Sequence, residues 1–246
     1  MQIGDASGIQ SPLSFGGFGA TTRHINRLGP AIAAALDADT LSAAQLTMIN
    51  PYQANLRAAA IDTGTDKVHA ISCTGANLEE DIFNLVAHNS YEHIDDWRSL
   101  SAADDTKLLQ RGLNRVTDTC IPEEEAFRRI EKHMMKRWIE ASENETACLP
   151  HEYIYDLLRS GELEQNYEAD PSTSWLFAAA QADLPLFVPG WEDSTMGNIF
   201  ASRCIEGSVL ESCMSGGIAY MIELAAWYQH TSTPLAFLQI GGGIAG

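Results

Sequence analysis

The chain has 246 residues and a mass of 26.8 kDa, with 33 acidic side chains against 15 basic ones and a formal net charge of -18. This length fits one large domain or two small ones, and a hydrophobic content of 45% is enough for a buried core. Because phosphate groups and anionic membranes are held by Lys and Arg, we predict that the protein binds neither nucleic acid nor membrane. The acidity either keeps the protein soluble or attracts a cationic ligand.

No stretch is long and apolar enough to span a bilayer, and the amino terminus lacks the charged start and apolar centre of a secretory signal. The five cysteines form no Cys-x-x-Cys pair, so neither a disulfide framework nor a structural zinc site is expected. His88 and His93 have no partner at ligand spacing, and we infer no metal there. Free thiols in a cytoplasmic protein fit these observations best.

Residues 1–65 differ in composition from the rest of the chain. A stretch rich in Gly and Ser, GDASGIQSPLSFGGFGATTRH, precedes a predicted helix over residues 29–46. The polar segment IDTGTD (61–66) is typical of a connector, so we place a domain boundary between residues 65 and 66.

The second domain begins with VHAIS (68–72), a β-branched run that predicts a strand, then a glycine turn and a helix. Glu79 and Glu80, followed by Asp81, are either charges in the first turn of that helix, where the dipole favours acids, or carboxylates at the mouth of a cation site. Further helices are predicted from Glu123 to Ala141, from Tyr153 to Leu157 and from Ser174 to Ala182.

Two more segments repeat the strand pattern. LPLFVP (184–189) predicts a buried strand and leads into the loop GWEDSTMGN. A predicted helix from about Gly217 to His230 leads into PLAFLQI (234–240), another predicted strand, and a glycine run. Apolar strands that alternate with helices indicate an α/β protein with a parallel sheet covered on both faces.

The loops after these strands are candidate ligand sites, because open α/β sheets bind ligands beyond the carboxyl ends of their strands. Gly75 and Gly241–Gly243 would let backbone amides approach a pyrophosphate, and Asp193 can accept hydrogen bonds from ribose hydroxyls. No strict Gly-x-Gly-x-x-Gly motif follows a strand, so tight turns are an equal alternative for these glycines. Cys73 is expected to be a structural thiol, since no His or Lys is placed to activate it.

The segment KVHAISCTGANLEEDIFNLVAH resembles the deoxyhypusine synthase family, in particular its bacterial deoxyhypusine synthase-like branch. The resemblance continues through LNRVTDTCIPEEEAFRRIE and LPLFVPGWEDSTMGNIF and ends with PLAFLQIGGGIAG, so it covers about residues 67–246. It implies a Rossmann-like parallel sheet with helices on both faces, here incomplete at both ends, and a homotetramer with active sites between subunits.

The resemblance also implies a reaction. Family enzymes oxidise spermidine with NAD and pass its aminobutyl group, through an imine on an enzyme lysine, to a lysine of a translation factor; bacterial relatives join polyamines instead. Negative charge suits both the polycation and a developing iminium. The implied NAD-binding residues are Thr74, Gly75, Ala76, Glu80, Asp193, Gly241, Gly242 and Gly243, and the implied polyamine-binding residues are Glu79, Glu80 and Asn198.

Two departures from the family pattern concern the substrate. Asn198 stands where the family often has an aspartate, and an amide accepts a hydrogen bond without adding charge. The lysines Lys67, Lys107, Lys132 and Lys136 have no matching context, because the family's catalytic lysine falls beyond the position of Gly246. No catalytic residue is therefore assigned, and a catalytically inactive fragment or subunit partner is the alternative hypothesis.

Residues 3–55 resemble a different family, the FAD-dependent lycopene cyclase-type flavoproteins. There GDASG would approach the phosphate or ribityl chain of the flavin, with Asp5 as the hydrogen-bonding acid. The dinucleotide fingerprint of such proteins is absent upstream, so a complete FAD site is not expected. A FAD-linked oxidoreductase is the third hypothesis. We predict a flavoprotein-like segment over residues 1–65 that is joined to the second domain either naturally or through sequence assembly, or is a divergent native extension.

Overall fold

The described residues of the computed structural model are 68–232 and 235. Outside them lie residues 1–65, for which a flavoprotein-like segment and a helix over residues 29–46 are predicted, nearly all of the predicted strand over residues 234–240, and Gly241–Gly243. In chain order the elements are β1 (Ile71–Ser72), α1 (Gly75–Ala87), β2 (Glu92–His93), α2 (Ala102–Gln110), β3 (Leu113–Val116), β4 (Thr119–Pro122), a π-helical turn (Glu123–Arg128) that continues as α3 (Arg129–Glu143), α4 (Pro150–Arg159), α5 (Trp175–Gln181), β5 (Leu186–Phe187), α6 (Thr195–Ile205) and α7 (Gly217–His230).

Two sheets organise the described part of the chain. β1 and β5 pair in parallel, with Ile71 opposite Leu186 and Ser72 opposite Phe187. β2, β4 and β3 form a separate antiparallel sheet in that order. The α/β class with a parallel sheet is therefore confirmed, whereas the Rossmann-like strand order and the coverage of both sheet faces stay predictions.

Helix α1 lies at the centre of the hydrophobic core. Its sequence repeats apolar residues at helical spacing, and Leu78 and Ile82 are fully buried. The ring of Phe83 meets that of Phe127 edge to face, with ring centroids 4.8 Å apart. Helix α1 also packs against α5 and α6, so its amino-terminal end is held firmly beside the start of α6.

The predicted helices lie at the positions that the structure shows, but some of them begin or end at other residues. The segment predicted from Glu123 to Ala141 begins as a π-helical turn and becomes an α-helix only at Arg129. The helix predicted over residues 153–157 is longer and begins at Pro150, whose fixed φ suits a first helical residue. The prediction for α7 is confirmed. No helix in the described ranges is long and apolar enough to cross a bilayer.

Candidate functional site

The candidate site lies where the parallel strands β1 and β5 end. The amide of Cys73 donates to the carbonyl of Phe187 at 3.0 Å, so the pairing continues beyond β1. Residues 73–75 and 188–194 therefore leave the sheet at the same edge, where open α/β sheets bind ligands. The structure thus brings together two of the three loops that the sequence marks, and the third lies outside the described residues.

Close backbone contact joins the two loops. A Cβ atom at position 75 would lie 2.7 Å from Cβ of Ser194 and 3.2 Å from Cα of Trp191. A Cβ atom at Gly197 would lie 2.6 Å from the carbonyl oxygen of Trp191. Glycine at position 75 is thus required by the packing of α1 on the turn Trp191–Asp193, which explains this residue without a ligand.

Glu79 holds the start of α6. The side chain is only 5% exposed, its Oε1 accepts from the amide of Thr195 at 2.9 Å, and its Oε2 accepts from the amide of Met196 at 2.8 Å. Helix α1 has no acid in its first turn, so the interpretation of Glu79 as a charge serving its own helix dipole is wrong. Glu79 instead neutralises the positive end of another helix, although burial raises the pKa of its carboxyl.

A second carboxylate holds the start of α7. Oε1 of Glu192 accepts from the amide of Gly217 at 2.7 Å. A Cβ atom at Gly216 would lie 3.0 Å from the same oxygen, and one at Gly217 would lie 3.1 Å from the amide nitrogen of Gly190. Helices α6 and α7 thus both begin beside the turn Trp191–Asp193, each with a carboxylate of this chain against its first amides.

Among the residues that the structure describes, no carboxylate accepts from the first amides of α1. Oγ1 of Thr74 accepts from the amide of Asn77 at 3.3 Å, and the carbonyl of Thr74 accepts from the amide of Leu78 at 3.1 Å. The amides of Gly75 and Ala76 precede these bonds and belong to the set that a helix start offers to an anion. The residues present therefore fit a phosphate group at this position.

Asp193 and Asn198 lie on the segment that faces this helix start. Asp193 is exposed in the turn just before α6. Asn198 is exposed one turn into α6, and its Nδ2 donates to the carbonyl of Ser194 at 2.7 Å, which leaves Oδ1 to accept a hydrogen bond. The implied residues between positions 74 and 80 thus lie on a segment that adjoins the one carrying Asp193 and Asn198.

Glu80 is the half-buried member of the acidic run. Burial raises its pKa, and the negative charges of Glu79 and Asp81 raise it further. Oδ2 of Asp81 accepts from the hydroxyl of Ser174, which caps α5, and from the amide of Leu176 at 3.2 Å, so the acids on either side of Glu80 each hold a helix. An ammonium group beside Glu80 would relieve this repulsion.

Tyr91 faces the same acids. Its pKa is raised by burial and by the carboxylates of Glu80, Glu79 and Asp81, in that order. Its hydroxyl is buried and has no hydrogen-bond partner among the described residues. No local sequence pattern marks Tyr91 as part of the site, because it follows the end of α1 and returns to this helix only in the folded chain.

Cys73 is confirmed as a structural thiol. It is 3% exposed, and burial raises its pKa to about 12, which keeps it protonated and unreactive. All five cysteines are free. Within the described residues, no cluster of His, Cys, Asp and Glu has the arrangement of a metal site.

A separate cleft of about 300 Å³ lies near the amino end of β5, between α4 and the residues that lead into the strand. Arg159 and Asp183 line it together with buried His151. Nδ1 of His151 is 2.9 Å from the hydroxyl of Tyr220, and burial lowers the pKa of His151 to about 4. Of the residues implied for NAD or polyamine, those that fall within the described ranges do not line this cleft.

A sequence profile of the deoxyhypusine synthase family matches residues 56–245. A probable deoxyhypusine synthase from Aeropyrum pernix is 32% identical over 148 residues, which cover 58% of this chain and 43% of the relative's length.

Proposed function

Because the chain belongs to the deoxyhypusine synthase family, we propose that it binds NAD and a polyamine for the transfer of an aminobutyl group from spermidine to an amine acceptor. The acceptor is a protein lysine or another polyamine. The observation that carries the proposal is the family match over residues 56–245. The oligomeric assembly that the family implies belongs to the same proposal.

The cofactor end of the site is proposed at the start of α1. The amides of Gly75 and Ala76 would donate to the pyrophosphate, and the carboxylate of Asp193 would accept from ribose hydroxyls. Thr74 would act by fixing the first turn, as its hydroxyl does in the structure. When bound there, NAD would supply a hydride acceptor for the oxidation of spermidine.

The polyamine end is proposed one helical turn further along α1. Glu80 would contact an ammonium group of spermidine, and Oδ1 of Asn198 would accept from another amine. Glu79 would attract the polyamine through its charge without contacting it, since both of its oxygens accept hydrogen bonds from amides of α6. A cation beside Glu80 favours the ionised carboxylate, so binding should release protons and weaken as the pH falls through the raised pKa of Glu80.

The absence of lysine from the two described loops favours a second candidate. Residues 73–75 and 188–194 contain none, while Lys107 and Lys136 lie on α2 and α3, bonded to Asp104 and Glu162. The second candidate is therefore a chain that binds NAD and polyamine as a subunit partner but does not carry out the covalent step. It shares the binding site and differs only in turnover.

Calorimetric titration of the full chain with NAD tests the binding site. We expect NAD to bind, and Asp193→Asn to weaken it by about tenfold, the cost of one good hydrogen bond to a charged group. Asp183→Asn is the matched control, because Asp183 is an exposed acid near the other end of β5. A folded sample that shows no NAD binding would contradict the proposal.

Spermidine-dependent formation of NADH then separates the two candidates. Turnover supports the transferase, and NAD binding without turnover supports the subunit partner. Glu80→Gln should weaken spermidine binding and remove its proton release, whereas Glu124→Gln, at an exposed acid of the π-helical turn, should change neither. Equal effects of the two substitutions would exclude Glu80 as the contact.

A further inference from the structure

The face of α1 that carries Glu80 continues beyond the end of the helix. Asn84 follows Glu80 by four residues, and Oδ1 of Asn84 is 3.0 Å from Nδ1 of His88, four residues further on. A single 3₁₀ turn (His88–Ser90) then leads to Tyr91, whose backbone is extended. The side chain of Tyr91 packs against the hydrophobic core around α1. Tyr91 is therefore attached to the end of the helix face that begins with Glu80.

The hydroxyl of Tyr91 lies among the acids of α1. Burial raises its pKa most, and the negative charge of Glu80 adds more than that of Glu79 or Asp81. Because the interaction between charges falls with distance, Glu80 is the acid that this hydroxyl faces most closely. The raised pKa keeps the hydroxyl protonated at neutral pH, so it can donate one hydrogen bond and accept two.

Two of the three acids are already paired, whereas Glu80 and Tyr91 are not. Both oxygens of Glu79 accept from amides of α6, and Oδ2 of Asp81 accepts from the amide of Leu176 in α5. No hydrogen bond or ion pair joins the side chain of Glu80 to another described residue. The buried hydroxyl of Tyr91 also has no hydrogen-bond partner in the described part of the chain. Native proteins pair almost all of their buried polar groups, so this neighbouring donor and acceptor indicate a ligand.

We propose that Tyr91 is a further residue of the polyamine site, where its hydroxyl and the carboxylate of Glu80 hold one primary ammonium group between them. The inference rests on the proposed function and deepens it. One N–H of the ammonium group donates to the carboxylate of Glu80, and another donates to the hydroxyl oxygen of Tyr91. The hydroxyl proton then donates to the second carboxylate oxygen of Glu80. A single cation thus pairs both groups.

This arrangement recognises a type of amine as well as a charge. The phenolic oxygen adds an acceptor without adding negative charge to the acidic run, where burial already disfavours the ionised form of Glu80. A quaternary ammonium group keeps the positive charge but cannot donate, so it would leave the hydroxyl of Tyr91 unpaired. Sites that hydrogen-bond a substrate reject analogues that lack the donor. The site should therefore prefer diaminobutane to its fully methylated, quaternary derivative.

Calorimetric titration of the full chain with spermidine tests the contact. Tyr91→Phe removes only the hydroxyl and should weaken spermidine binding by about tenfold, the value of one hydrogen bond to a charged group, without changing NAD binding. Tyr167→Phe is the matched control, because the hydroxyl of Tyr167 is also buried without a partner among the described residues. The pKa of Tyr167 is raised by burial and by Glu164 rather than by the acids of α1. Tyr167→Phe should therefore bind spermidine like the wild type.

Two further measurements separate this role from a structural one. Neither hydroxyl is bonded to a described residue, so neither phenylalanine substitution should lower the thermal unfolding midpoint. A Tyr91 that served only packing would lose this midpoint together with spermidine affinity when it is substituted. In the Glu80→Gln background, Tyr91→Phe should weaken spermidine binding less than in the wild type, because both side chains hold the same group.

The inference and the proposed function fail on different results. Absence of NAD binding contradicts the proposed function. With NAD binding intact, the inference alone is overturned by a Tyr91→Phe variant with unchanged spermidine affinity, or by equal weakening from both phenylalanine substitutions. Equal affinity of the wild type for diaminobutane and its quaternary derivative would overturn it too, as would a wild-type chain that binds NAD but no polyamine.

Discussion

Substitution of Glu79 by glutamine isolates the contact that joins α1 to α6. Glutamine keeps the size of the side chain but offers one acceptor oxygen and one amide donor. It can therefore accept from the amide of Thr195 or from that of Met196, while its own NH₂ group faces the other. One buried backbone amide loses its partner, and α6 loses the negative charge at its start.

The expected cost follows from these two losses. A buried donor left without a partner costs about 1–3 kcal/mol, and a charge at a partly buried helix start contributes about 0.3–2 kcal/mol. Because burial raises the pKa of Glu79, removing its charge also recovers part of the desolvation cost. We therefore expect Glu79→Gln to lower the free energy of unfolding by about 2 kcal/mol at pH 7.

Urea unfolding at pH 7 measures this change. With a slope near 2 kcal/mol per molar urea, the midpoint should fall by about 1 M. Glu80→Gln is the control on the adjacent residue: burial and the neighbouring acids raise the pKa of Glu80, so its ionised form is disfavoured in the folded state at pH 7 and a neutral side chain should be neutral or slightly stabilising. Equal unfolding of Glu79→Gln and the wild type, or unchanged exchange protection of the amides of Thr195 and Met196, would refute the reasoning.

Three further outcomes are expected. Gly197→Ala should lower the free energy of unfolding by about 1–3 kcal/mol in urea, because the added Cβ meets the carbonyl of Trp191, whereas Ser202→Ala on the exposed side of the same helix should cost nothing. Because burial lowers the pKa of His151 in the folded protein, the unfolded chain binds a proton on this histidine at a higher pH than the folded chain does. The free energy of unfolding should therefore fall as the pH drops from 6.5 towards 4, by up to about 2 kcal/mol between pH 7 and pH 5. His151→Gln should remove this pH dependence, and an identical dependence of the free energy of unfolding on pH in both proteins would contradict the prediction. In the native protein at pH 8, Cys73 should not react with a thiol reagent until urea unfolds the chain, and rapid native labelling would count against its burial.

Local signals explain the part of the fold that the sequence predicts correctly. Thr74 caps α1, and the apolar run that contains β5 stands before a glycine turn, so both the helix start and the strand are visible in short windows. The parallel pairing of β1 with β5 follows from the alternation of strands and helices. The meeting of two marked loops at one sheet edge is a consequence of that pairing.

The antiparallel sheet was not predicted because its signals are weak. β3 and β4 have four residues each, and the hairpin between them turns at Thr117 and Asp118 without a glycine. Thr117 has a φ of 57°, a conformation that a β-branched residue rarely adopts. Helix α6 was not predicted for a related reason, since Gly197 interrupts the helical pattern of its sequence. The need for glycine at this position is explained only by its contact with Trp191 in the folded chain.

The contacts of Glu79 could not be predicted from a local sequence pattern. The sequence offered two interpretations, a charge on its own helix dipole and a cation site, and both concern neighbours in sequence. The contact that the structure shows joins Glu79 to amides 116 and 117 residues away. Such a pairing depends on the packing of α1 against α6, and therefore on the parallel strands that place the two helix starts side by side.

The packing of α1 against α6 also determines which charge of ligand each part of the proposed site favours. At physiological ionic strength, charges beyond about 8 Å are largely screened, so the local groups at each helix start outweigh the net charge of -18. Glu79 and Glu192 already neutralise the starts of α6 and α7, which leaves the first amides of α1 for an anion. Glu80 follows Gly75 by five residues, a rise of about 7.5 Å along the helix. An anionic cofactor at the start of α1 and a cationic amine at Glu80 would then be near enough to attract each other, so each should bind more tightly when the other is present.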